Sequence, residues 1–136
     1  MAVFHHSRSH RHVQSRYARG QRYRAIQTIL RCDLGYSGHA PGVIDPKGRC
    51  FYFTSSGVFA ITIPIDGKPA CKGNGSTIGF NAKSAEEVDA WHAAGIANGG
   101  VSCENPPGVR QGTIGQLYLA YLLDPAGNKI CALYRL

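Results

Sequence analysis

Residues Gln116–Leu136 read QLYLAYLLDPAGNKICALYRL, and this stretch decides the fold. Gln116–Leu123 and Lys129–Leu136 are runs rich in Leu, Tyr and Ile, separated by Asp124-Pro125-Ala126-Gly127-Asn128. Proline presets φ at about −65° for a turn, Asp accepts from the backbone two residues on, and Gly takes positive φ without a Cβ clash. The segment therefore reads as two strands joined by a tight turn. The same element occurs 79 residues earlier, where Asp45-Pro46-Lys47-Gly48-Arg49 leads into Cys50-Phe51-Tyr52-Phe53. A turn and strand repeated at that distance predict a chain built from two copies of one βαβββ unit.

The stretch between the two turns fits that unit. Arg49–Thr54 and Val58–Pro64 are short aromatic and β-branched runs around Ser-Ser-Gly, which predicts a strand hairpin. Asp66-Gly67 and Lys72–Gly75 signal loops, and Ser76–Ala82 reads as a further strand. Ser84-x-x-Glu87 is a capping box that opens a helix, with Val88, Trp91 and Ile96 tracing one face and Gly99-Gly100 ending it. Val101–Cys103 is a short strand candidate, broken by Pro106-Pro107-Gly108.

Composition narrows the class. The 136 residues suffice for one domain, and hydrophobic residues at 43% with charged residues at 17% describe a globular chain rather than a disordered one. No apolar run reaches the roughly 18 residues of a membrane span. The basic start lacks an apolar region of the secretory kind. Cys32, Cys50, Cys71, Cys103 and Cys131 are odd in number and contain no CxxC pair, so they read as buried small side chains in a cytoplasmic protein.

Charge is distributed unevenly. Residues 1–40 carry seven arginines against Asp33 alone, a net of +6, whereas residues 41–136 net only +1. Five of the six histidines also lie in the head. A nucleic-acid reading depends wholly on this basic arm and gains no support from the neutral body.

In combination, SAEEVDAWHAAGIANGG, NPPGVR and YLAYLLDPAGNKICALY, preceded by GNGSTIGF over Gly73–Phe80, resemble the glyoxalase/bleomycin-resistance/dioxygenase family of the vicinal oxygen chelate superfamily. The match covers roughly residues 41–136. The resemblance implies a single α+β domain over 1–136, with a first βαβββ module over 1–66 and a second over 76–136. Their strands would form a curled mixed sheet around a cavity, commonly in a homodimer. It implies a small organic ligand in that cavity, with lyase, isomerase or dioxygenase chemistry on a divalent metal (zinc, iron, manganese or nickel) in the enzymes. Other members sequester a ligand without catalysis, so whether this chain is an enzyme stays open.

The family's ligand positions fall on weak donors. Its C-terminal Glu falls on Cys131, its mid-chain His on Thr77, and its N-terminal ligand on His6, with Tyr52 the polar group nearest the remaining position. A His, a Cys and a Thr make a poor hard-metal set, which favours binding over metal catalysis. Arg110 in Pro-Pro-Gly-Val-Arg is a candidate anion contact. Tyr118 and Tyr121 differ by three, so on a strand one faces the cavity and the other faces away. Together with Tyr52 they complete the candidate ligand contacts. His92, next to Trp91, reads as a surface or core-edge residue.

The head departs from the family, which begins with a strand and a helix carrying an FYDxxLxxLG-like motif. Ile29–Gly38 can be encoded so that a one-base shift reads Phe-Tyr-Asp-Ala-Ile-Leu-Gly-Thr-Leu, which is that motif. Residues from about 5 to 38 therefore read as a frame-shifted translation, whose signature is a peptide containing Phe-Tyr-Asp-Ala-Ile-Leu-Gly in the purified protein.

Overall fold

Eight strands and one helix, six of those strands and the helix in the order expected from the sequence, make up the described part of the chain in a computed structural model that describes residues 40–55, 57–113 and 115–136. The basic arm, His6 and the segment whose sequence reads as frame-shifted lie outside the described residues. The strands are β1 (Val43–Ile44), β2 (Cys50–Thr54), β3 (Gly57–Ile61), β4 (Ile78–Asn81), β5 (Val101–Ser102), β6 (Gly108–Gly112), β7 (Gly115–Leu123) and β8 (Lys129–Arg135); α1 (Ala85–Ala97) lies between β4 and β5. The architecture is α+β with mixed, curled, unclosed sheets, as the sequence predicts.

The first sheet is an antiparallel meander, β1-β2-β3, with Tyr52 opposite Phe59. The second runs β4-β8-β7-β5, with β6 also paired to β7. Within it β4 lies parallel to β8, placing Ile78 beside Ile130 and Gly79 beside Cys131. The β7–β8 register matches Tyr121 with Cys131 and Leu122 with Ile130.

Two of these strands, β1 and β6, were not read from sequence. β1 is a two-residue strand, and β6 follows the Pro-Pro pair at once, where turn signals mask it.

The helix begins as its capping box predicts, with one shift. Ser84 Oγ accepts the Glu87 N–H at 3.2 Å, but the Glu87 carboxylate reaches back to the Lys83 N–H, one residue before the cap. Its buried face is Val88, Trp91 and Gly95, while Ile96 is 46% exposed. Gly95, one turn past Trp91, carries the stripe that Ile96 was expected to continue. A Cβ at Gly95 would overlap Leu122 of β7, so the missing side chain lets helix and sheet approach. At the other end the Gly100 N–H donates to Gly95 and the Gly99 N–H to Ile96, with Gly99 at φ 93°, a Schellman closure.

Val88, Trp91, Ala120, Leu122, Ile130 and Ala132 form the main core, between α1 and one face of the second sheet. Cys50 and Tyr52 form a smaller core under the first sheet. Phe80 of β4 packs against both, meeting Phe59 edge-on at 5.9 Å between ring centroids.

The cysteines divide. Cys50 and Cys131 are buried as expected, but Cys71 is exposed in the loop before β4 and Cys103 is half-buried after β5. Cys32 lies outside the described residues.

Candidate functional site

Side chains alternate across a strand, and registered partners share a face. Tyr118, Ala120 and Leu122 of β7 therefore face α1, with Ile130 and Ala132 opposite. The remaining face, open in that no described helix covers it, carries Leu119, Tyr121 and Leu123 on β7, Lys129, Cys131 and Leu133 on β8, and Gly79 on β4. Leu119 and Cys131 are buried on it, Tyr121, Leu123, Lys129 and Leu133 half-buried, and Gly79 exposed. A Cβ at Gly79 would sit 3.3 Å from Cys131 Sγ and 3.2 Å from Leu133 Cδ2, so glycine keeps this part of the face flat.

The tyrosine pair resolves accordingly. Tyr118 packs against the main core and its hydroxyl donates to the Asp89 carboxylate of α1 at 3.0 Å, which is the main reason its pKa is raised. Tyr121 lies on the open face beside Cys131, with burial the leading cause of its raised pKa. Lys129 Nζ stands 4.4 Å from the Tyr121 ring centroid and also pairs with the Glu104 carboxylate. That carboxylate holds the Lys129 ammonium above its ordinary pKa. Glu104 sits at φ 60°, an uncommon conformation for a residue with a side chain, in the loop between β5 and β6.

An open pocket of about 270 Å³ adjoins this cluster, lined by Lys72, Gly73, Asn74, Gly75, Ser76, Thr77, Leu123, Gly127 and Lys129. Asn128 fixes its glycine loop from below, since Asn128 Oδ1 accepts the Gly73 N–H at 3.0 Å. Ser76 Oγ closes the other side by donating to Gly73 O at 3.0 Å.

Thr77, Cys131 and Tyr121 thus belong to one face, Thr77 at the pocket and Cys131 further along it. Arg110 pairs with Leu117 on the same side of β7, but its guanidinium donates to Pro106 O at 2.6 Å and to Val109 O at 3.1 Å, within its own loop. Tyr52 is 1% exposed in the smaller core, its ring tilted against that of Phe59 at 6.3 Å between centroids. His92 is on the helix side, where its Nε2 is hydrogen-bonded to Ser102 Oγ at 2.9 Å; burial lowers its pKa and Asp89 opposes this. Lys72, Glu104, Asn128 and Lys129 were missed in the sequence. Only Lys129 left a signal there, being two residues from Cys131 on the same strand and hence on its face.

The donors at the implied metal positions do not fit a hard divalent ion. Thr77 offers a neutral hydroxyl, and burial raises the Cys131 pKa, keeping the thiol protonated when a metal needs the thiolate. Among the described residues no group of three His, Cys, Asp or Glu side chains converges. No helix there is long and apolar enough to cross a membrane.

The solved structures give the family. The chain is 56% identical to a glyoxalase/bleomycin resistance protein from Albidiferax ferrireducens T118, with a TM-score of 0.78 over 82% of this chain and 90% of that one. The chain belongs to the glyoxalase/bleomycin resistance/dioxygenase family. Two more distant structures share the glyoxalase-like fold. One is a glyoxalase/bleomycin resistance protein/dioxygenase family enzyme from Burkholderia phytofirmans PsJN, 17% identical, with a TM-score of 0.60 over 82% of this chain and 89% of that one. The other is a glyoxalase-related enzyme from Fulvimarina pelagi, 18% identical, with a TM-score of 0.60 over 82% and 79%. No protein-family model and no curated protein matches the sequence.

Proposed function

We propose that this glyoxalase-family chain binds a small organic molecule against the open face of its second sheet and holds it by direct side-chain contact. The observation that carries this reading is the make-up of the face. Cys131 and Thr77 stand where the family resemblance implies a carboxylate and an imidazole for a metal, with Gly79 beside Cys131 and with the Tyr121 ring and an open pocket adjoining. Small, weakly polar side chains beside an aromatic wall suit an organic body better than an ion. Sequestration of a ligand without catalysis needs only such a face. The working unit in this reading is a homodimer in the cytoplasm, the compartment to which the absence of a disulfide framework points.

Metal-assisted lyase, isomerase or dioxygenase chemistry is the second reading, and it depends on His6 and on donors outside the described residues. Thermal-shift measurement separates the two. The purified protein is screened against bleomycin and small aromatic and acyl compounds, once in chelator and once after loading with zinc, iron, manganese or nickel. A ligand at a hundredfold its Kd adds about 2.7 kcal/mol of stability. The expected result is an equal rise in Tm with and without metal. A ligand that stabilises, or is converted, only in the metal-loaded protein would replace the first reading with the second. Light scattering of the same sample reports the dimer.

A further inference from the structure

We infer that the pocket between the Lys72–Thr77 loop and β8 is an oxyanion site, so that the ligand of the open face is an organic anion carrying a carboxylate, sulfonate or phosphate group. This rests on the binding reading above and specifies its ligand class.

Among the described residues two lysines line the pocket and no carboxylate does, Glu104 reaching only Lys129 from beside it. Lys129 is held in place on both sides, by the Tyr121 ring beneath it and by the Glu104 carboxylate beside it, while its stem rises from β8. Lys72 comes from the opposite wall, its Cδ lying against Gly127, where a Cβ would come within 3.5 Å. The Thr77 hydroxyl lines the same opening. The two lysine side chains therefore both line a hollow of about 270 Å³, room for a charged head group rather than a whole ligand. Leu123 forms its apolar side, and Tyr121, in registry with Cys131, continues the apolar surface along the open face. A ligand matching that layout has a compact negative head on a flat apolar body.

Glu104 gives the inference its sharpest consequence. It neutralises part of the Lys129 charge, so an arriving oxyanion competes with it for the ammonium. Removing that carboxylate should strengthen anion binding, although a contact is lost.

The test uses two fluorescent probes with nearly the same apolar body, 8-anilinonaphthalene-1-sulfonate and the neutral N-phenyl-1-naphthylamine, titrated into the full chain. The sulfonate should bind more tightly, and added salt should weaken it alone. Lys72→Gln should weaken the sulfonate about threefold and Lys72→Gln with Lys129→Gln about tenfold, while Glu104→Gln should strengthen it about threefold. The neutral probe should respond to none of these changes. Circular dichroism confirms that each variant is folded, and Lys72→Gln, fully on the surface, serves if Lys129→Gln is not. Equal binding of both probes, or a sulfonate Kd indifferent to all three substitutions, would overturn the oxyanion site and leave the binding face standing. Failure of both probes to bind would overturn the oxyanion site and the binding face together.

Discussion

The Asp45–Arg49 and Asp124–Asn128 turns are the same object made twice, and they end in different employment. In each, the Asp backbone N–H donates to the carbonyl four residues on, at 2.9 and 2.8 Å, and the glycine N–H donates back to the Asp carbonyl, at 2.9 and 2.8 Å. In each, Asp Oδ1 accepts two backbone N–H groups, those of Lys47 and Arg49 or of Ala126 and Asn128. The glycines match as well, Gly48 at φ 77° and Gly127 at φ 86°. Even the fifth residue bonds to the remaining carboxylate oxygen in both, through Arg49 Nε at 2.7 Å and Asn128 Nδ2 at 3.0 Å. The divergence begins there. Arg49 turns over the Phe51 ring at 5.2 Å, whereas Asn128 spends its Oδ1 on Gly73 and fixes the floor of the pocket. The geometry of the turn is set by Asp, Pro and Gly, so its last residue is left free to serve a site.

The largest difference between the two sheets should appear in their cores. Leu122, fully buried under α1, loses about 3 kcal/mol on truncation to Ala, within the range for buried Leu. Phe53 of the first sheet is 58% exposed, and Phe53→Ala should change stability by no more than about 0.5 kcal/mol. Urea unfolding of both variants measures the contrast, and similar losses would mean that the first sheet is covered in solution.

Next come the turn glycines. Gly48→Ala and Gly127→Ala each force a left-handed backbone on a residue with a Cβ, at about 1–2 kcal/mol. Equal losses support the equivalence of the two turns. A much larger loss at Gly127 would break that equivalence, since Lys72 lies at an ordinary contact distance of 3.5 Å from the added Cβ and does not explain it.

Asn128→Ala should be smaller, about 1 kcal/mol for its net hydrogen bonding, and should loosen the Gly73 loop. Hydrogen exchange at the Gly73 amide reads this directly, and an unchanged rate would separate the turn from the pocket.

The smallest effect is acidic. Arg49, hydrogen-bonding to the Asp45 side chain, holds that carboxyl below its ordinary 3.8. A depressed folded-state pKa means that the stabilisation is present above 3.8 and is lost as pH falls through the lower folded value. Asp45→Asn should flatten that part of the acid limb in urea midpoints measured down to about pH 2. An unaltered slope would remove the ion pair from the account of the first turn.

The β7–β8 pair and the start of α1 were legible because local chemistry specifies them: the Asp-Pro-x-Gly turn, alternating apolar residues and Ser84 as cap. Ile96 was misplaced because glycine carries no hydropathy signal, so Gly95 could not announce itself as the residue that lets Leu122 approach. The open face was half legible. Parity puts Cys131 and Tyr121 together, but Glu104 reaches Lys129 across 25 residues through a loop whose positive φ falls on a glutamate. Lys72 reaches the pocket through a loop that the sequence marks only as irregular.

Phe80 joins the two parts of the molecule. Among the described residues it is the one side chain packed against both cores, with Phe59 at its edge. Among the described residues, cooperativity between the two cores then passes through Phe80, so the β1–β3 meander should open locally while the α1-backed sheet stays shut. The slowest-exchanging amides should lie in β7 and β8, and a ligand seated on their open face would slow exchange there without slowing it in the meander.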